Sequence, residues 1–145
     1  MQRLVVGHSA KPCILVAASR KSSHIVARCL DGFAELHYVF TIEEALVRLA
    51  QGGIHAIVAG LHFDDSLMPV LLDKVKSNPA TRDLPFHCCR FLPSCLNPAA
   101  MAAVHRACRE LTQLDLIDLP EWHARYGWEA AAERFRAVIA SRLPP

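Results

Sequence analysis

His55-Ala-Ile-Val-Ala-Gly-Leu61 is a short apolar run without alternation, entered from Gly52-Gly53 and left through Gly60 toward the polar loop His62-Phe-Asp-Asp-Ser66. Such a run reads as a strand buried on both faces, the kind found in the middle of a parallel sheet. Ligands and chemistry in an open α/β sheet gather at the carboxyl ends of the central strands. Function is therefore sought first around Gly60. Ala59, Gly60 and Leu61 stand there, and none of them titrates.

Working outward toward the amino terminus, Cys13 to Ala18 is a second buried strand, preceded by an arm that ends at Lys11-Pro12. Ser19 to Ser23 supplies a turn and helix cap, and Ile25, Val26, Cys29 and Leu30 then recur at helical spacing up to Asp31-Gly32. Leu36 to Phe40 is a short strand. Thr41-Ile-Glu-Glu44 has the form of a capping box, opening a helix with Ile42, Ala45, Leu46 and Leu49 on one face.

Toward the carboxyl terminus, Leu67 to Val75 reads as a helix with Leu67, Val70, Leu71 and Val75 inward and Pro69 in its first turn. A polar connection, 77–85, leads to a fourth strand, Phe86 to Leu92. Ala99 to Leu111 is an Ala-rich helix with Met101, Val104, Cys108 and Leu111 inward. Leu114 to Leu119 is a fifth strand. Gly127 marks 121–127 as a loop or separate turn before a last helix, Trp128 to Leu143, which turns Trp128, Ala131, Phe135, Val138 and Ile139 to the sheet. Five strands alternating with five helices predict right-handed crossovers and a doubly wound parallel sheet in a single domain, 1–145, with an arm at 1–11 and a core at 12–143.

The bulk properties agree. The chain has 145 residues, 52% hydrophobic and 21% charged, which suits one folded domain. No apolar run approaches the roughly 20 residues that cross a bilayer, and the first residues read as an arm rather than a signal peptide. A net charge of +2, with no Lys/Arg cluster interleaved with aromatics, argues against nucleic acid or membrane as partner. Of six cysteines, Cys13, Cys29, Cys88 and Cys108 fall inside apolar strand or helix patterns, and Cys89 and Cys95 complete the set. Free thiols of this kind point to a reduced, cytoplasmic setting.

The order of elements resembles the receiver domain of bacterial response regulators, flavodoxin-like with strand order 2-1-3-4-5. Two stretches carry the resemblance locally. Asn78-Pro-Ala-Thr-Arg-Asp-Leu-Pro85 is similar to the family's linker between its third helix and fourth strand. Leu116-Ile-Asp-Leu-Pro120 is similar to its fifth strand, which ends in Lys-Pro with a usually cis bond; a cis Leu119–Pro120 bond is the corresponding expectation. The resemblance implies phosphoryl transfer to an aspartate beside carboxylate-bound Mg²⁺. Carried over residue by residue, the acidic pair falls on Ala18 and Ser19, and the acceptor Asp falls on Gly60. The switch Ser/Thr falls on Arg90 or Phe91, and the lysine on Leu119. Every functional position is substituted. The expectation is a pseudo-receiver with a vacated phosphorylation pocket, no enzyme activity, no cofactor and no metal. It would bind a protein partner, with a second copy of the chain as one option.

Several residues admit two readings. Asp64 and Asp65 are either displaced acceptors or caps of the following helix. Arg90 is either a cation serving the vacated pocket or a solvent-facing strand end. His62, His87, Cys88, Cys89, Cys95, His105 and Cys108 offer soft ligands for small-ligand, metal or redox sensing, but Cys88 and Cys89 should point to opposite faces, and packing is the simpler use. Trp122, Tyr126 and Trp128 either cover the core or form a contact surface. The exposed alanines of the fourth helix, Ala99, Ala100, Ala102 and Ala103, permit close approach of another helix or simply favour the helix itself.

Overall fold

The structure is a computed structural model that describes residues 11–93 and 97–144. Most of the expected arm and Cys95 lie outside the described residues. Five strands, β1 (Cys13–Ala17), β2 (Glu35–Val39), β3 (Ala56–Gly60), β4 (Phe86–Arg90) and β5 (Ile117–Asp118), form one parallel sheet in the order β2-β1-β3-β4-β5. This is the doubly wound, flavodoxin-like order that the sequence predicts. The helices are α1 (Arg20–Leu30), α2 (Ile42–Ala50), α3 (Met68–Ser77), α4 (Pro98–Thr112), α5 (Leu119–Tyr126) and α6 (Trp128–Arg142).

Strands β1 and β3 are apolar throughout because both of their faces are covered. Leu15, Ala17, Ile57, Ala59, Phe86 and Cys88 face a core closed by α2, α3 and α4. Ile14, Val16, Ala56, Val58 and Cys89 face a second core closed by α1 and α6. Cys88 and Cys89 therefore point to opposite faces, as strand alternation requires.

Helix starts follow the capping residues. Ser19 Oγ accepts from the Ser22 N–H, so α1 begins at Arg20, earlier than its apolar periodicity alone indicates. Thr41 Oγ1 accepts from the Glu44 N–H, while the Glu44 carboxylate takes the Phe40 N–H at 2.7 Å. Asp64 and Asp65 do not cap α3. The Asp64 carboxylate instead accepts from the Ile42 N–H at 3.0 Å, at the start of α2, and α3 starts from Leu67 without a side-chain cap.

Several expectations are corrected. In α3, Met68, Leu71, Leu72 and Val75 are buried whereas Leu67 and Val70 are exposed, because the helix is apolar on too many sides for its phase to be read. In α4 the buried residues are Cys108 and Thr112; Met101 and Val104 are half-buried and Leu111 is exposed. The expected strand 114–119 shortens to Ile117–Asp118, because Asp118 caps a helix at once by accepting the Glu121 N–H. Pro120 stands in the first turn of that helix, where a missing N–H costs nothing. The Leu119–Pro120 bond is trans. The chain thus has a helix, α5, beyond strict alternation.

His87 is fully buried on β4, and neither ring nitrogen has a hydrogen-bond partner. Burial, with Arg142 nearby, lowers its pKa from 6.5 to about 4. Between those values the unfolded chain holds the proton and the folded chain does not. Stability therefore falls as pH drops from 6.5 toward about 4, by up to roughly 3 kcal/mol. His87→Leu is expected to flatten that part of the curve and to add about 1 kcal/mol at neutral pH, as measured by urea melts across the interval.

Candidate functional site

The carboxyl ends of β1, β3 and β4 converge where Ala18, Ser19, Gly60 and Phe91 meet. The register sets Ala17 beside Ala59 and Gly60 beside Cys89, so the residues that follow β1 and β4 close over Gly60. A Cβ built on Gly60 would lie 3.2 Å from Phe91 Cδ2, 3.3 Å from Cε2 and 3.8 Å from Ala18 Cβ. The Phe91 ring is buried and packs against Phe135 of α6, with ring centroids 6.2 Å apart and tilted. The space beyond Gly60 is filled by an aromatic ring held from behind.

The remaining predicted site residues are not free for chemistry there. Ser19 is spent on capping α1. Leu119 is buried at the start of α5. Arg90 Nη1 donates to Asp118 Oδ1 at 2.7 Å, with both side chains largely buried. His105 of α4 lies 3.8 Å from the other Asp118 oxygen. The Arg90 cation is thus engaged by a carboxylate of its neighbouring strand, and neither the solvent-facing nor the pocket-serving reading describes it.

Mg²⁺ does not fit this end of the sheet. A hard cation needs oxygen ligands, chiefly carboxylates, and Ala18, Ser19 and Gly60 supply none. Of the carboxylates on the adjoining segments, Asp64 and Asp118 are committed to the Ile42 N–H and to Arg90, and Asp65 is exposed on the loop after β3.

The cysteine and histidine set does not assemble either. Cys88 and Cys108 both line a cavity of about 270 Å³ between α3 and α4, whose lining, which includes His62, is otherwise nearly all apolar. Contact with Cys108, then burial, pushes the Cys88 thiol well above the ordinary range. Cys89 and His87 lie on the other side of β4, and His105 turns toward Asp118.

The aromatic residues lie on α5 and at the start of α6. The Arg134 guanidinium stands over Trp122 (4.8 Å) and Tyr126 (5.5 Å), and Arg28 stands over Trp128 (4.9 Å). Trp122 and Trp128 are half-buried against the second core, and Tyr126 is 47% exposed. Next to Trp128, an open hollow of about 380 Å³ is bounded by Ile25, Arg28, Phe91 and Pro120.

Solved structures place this geometry. A response regulator from Hahella chejuensis superposes with a TM-score of 0.69 at 12% identity, over 93% of this chain and 100% of its own. The phosphorylated cyanobacterial phytochrome response regulator gives 0.67 at 15% identity, over 94% and 100%. The signal receiver domain of an HD domain-containing protein from Pseudomonas fluorescens Pf-5 gives 0.64 at 14%, over 98% and 95%. The fold is a receiver fold. No family model and no curated protein matches the sequence, so the likeness rests on structure.

The packing predicts how a carboxylate at this position behaves. Gly60→Asp brings its Cβ to 3.2–3.3 Å from the Phe91 ring and sets a carboxylate beside that ring without a partner. It should lower stability by about 2–4 kcal/mol and take up no phosphoryl group from acetyl phosphate. Adding Phe91→Ala removes the clash, so the double variant should be destabilised by less than the sum of the two single changes in a denaturant double-mutant cycle.

Proposed function

We propose that the chain is a non-catalytic signalling module of the receiver type, which works without aspartyl phosphorylation and acts by binding a protein partner. The observation that carries this reading is the Phe91 ring packed over Gly60, with Ala18 beside it. A receiver's acceptor carboxylate would occupy that volume. Here an apolar ring stands in that volume, so the usual input of a receiver has no foothold. The same observation weighs against ligand, metal or redox sensing in that pocket.

The partner surface is the α5–α6 segment with Trp122, Tyr126 and Trp128. This is where the chain departs from strict strand–helix alternation, and it presents aromatics next to arginine, two residue types enriched at binding hot spots. Guanidinium groups over the rings hold them in place, which lowers the entropy lost on docking. The free thiols at Cys29, Cys88, Cys89 and Cys108 fit a cytoplasmic setting. No helix among the described residues is long and apolar enough to cross a membrane.

Two experiments test the reading. With Mg²⁺ and acetyl phosphate or beryllofluoride, the intact mass and the tryptophan emission are expected to stay unchanged; a stoichiometric response would overturn phosphorylation independence. A second copy of the chain is the partner tried first. Light scattering should show mass rising with concentration for the wild type, and Tyr126→Glu should remain at monomer mass. Identical curves for both proteins would remove this surface from the proposal.

A further inference from the structure

A cluster at the opposite end of the sheet from Gly60 has no part in the reading above. Strands β1 and β2 pair in parallel, with Cys13 beside Glu35 and Leu15 beside His37. Residues two apart on a strand share a face, so Cys13, Glu35 and His37 project on the same side at the amino-terminal edge of the sheet. Cys13 Sγ lies 3.3 Å from Glu35 Oε2, and His37 Nε2 lies 2.6 Å from the same oxygen. The sulfur, the carboxylate oxygen and the imidazole nitrogen all fall within 4.8 Å of one another.

The backbone fixes where these ligands start. The Cys13 N–H donates to His55 Nδ1 at 2.9 Å, and the Cys13 carbonyl accepts the His55 N–H at 2.8 Å. The Glu35 N–H donates to the Pro12 carbonyl at 2.8 Å. Three side chains on two hydrogen-bonded strands therefore converge without any loop having to order.

We propose that Cys13, Glu35 and His37 bind a divalent cation of the zinc class, with water completing a tetrahedral set. One thiolate, one imidazole and one carboxylate are the zinc donor types, and bond lengths near 2.0–2.3 Å put tetrahedral ligand atoms roughly 3.3–3.8 Å apart. The sulfur–carboxylate spacing already has this value, and the carboxylate–imidazole contact opens from 2.6 Å to reach it. On binding, the Cys13 thiol gives its proton to solvent and its sulfur lone pair to the metal; nothing is oxidised or reduced. Thiolate and carboxylate together balance the two positive charges of the ion. The cationic neighbour is Arg48, whose Nε makes a long 3.4 Å approach to His37 Nδ1 while its Nη1 holds the Gly52 carbonyl at 2.7 Å. Binding at His37 Nε2 moves the ring proton to Nδ1. That breaks the long contact and leaves the Gly52 bond intact.

Cobalt(II) is the probe, since a tetrahedral site containing sulfur announces itself by intense visible bands and a near-ultraviolet thiolate charge-transfer band. Titration of the purified, reduced chain should produce both, and added Zn²⁺ should erase them. Cys13→Ser should lose the charge-transfer band, and His37→Ala should lose the intense visible bands. Circular dichroism without metal should match the wild type for both variants, because Cys13 and His37 lie outside the buried core. A charge-transfer band that survives Cys13→Ser would assign the metal to another thiol and overturn the proposal. The pale spectrum of hydrated cobalt from the wild type would do the same. Neither result bears on the phosphorylation-independent reading, which concerns the other end of the sheet.

Discussion

The contact between the Phe91 ring and the bare Cα of Gly60 is the constraint on which the functional end of this molecule depends. A parallel sheet brings the carboxyl ends of its central strands within a few ångströms of one another, and something must occupy the space beyond them. Here a residue without a side chain on β3 is matched by a large ring that follows β4, backed by Phe135 of α6. The two positions are coupled by volume: Gly60 accommodates the ring, and a side chain at Gly60 requires the ring to shift. The crevice that α/β sheets ordinarily use for ligands has become part of the second core.

The neighbouring polar groups are consistent with that closure. Arg90 and Asp118 neutralise each other across β4 and β5, and Asp118 also caps α5. Asp64 secures the start of α2 instead of waiting on the loop for a ligand. A buried charge without a partner is costly, and the pairing of Arg90 with Asp118 avoids that cost. Packing and capping thus account for Asp64, Arg90 and Asp118.

Much of the fold was legible because its strongest signals are local. The unalternating runs at Cys13–Ala17 and Ala56–Gly60 allow little but buried parallel strands, and Ser19 and Thr41 announce the helices after them. The phase of α3 was not legible, since Leu67, Met68, Val70, Leu71 and Leu72 are equally apolar and only the sheet decides which turn inward. The brevity of β5 was also hidden: Asp118 and Pro120 start a helix inside what reads as a strand. At the site, the absence of a side chain at Gly60, after β3, was plain from sequence. What fills the space depends on the β3–β4 register, and the convergence of Cys13, Glu35 and His37 depends on the β1–β2 register. Neither pairing leaves a trace in local residue pattern.

The two-residue length of β5 also governs how other chains can approach. A sheet edge normally offers a row of unpaired backbone groups on which a foreign strand can add. At this edge the ladder stops at Asp118, and the next residues are a helical Leu119 and a proline that has no N–H to offer. The border is too short to template a strand. Recognition on that side must run through side chains on helices. That makes it adjustable one residue at a time and keeps it from propagating along the backbone into strand-on-strand aggregates.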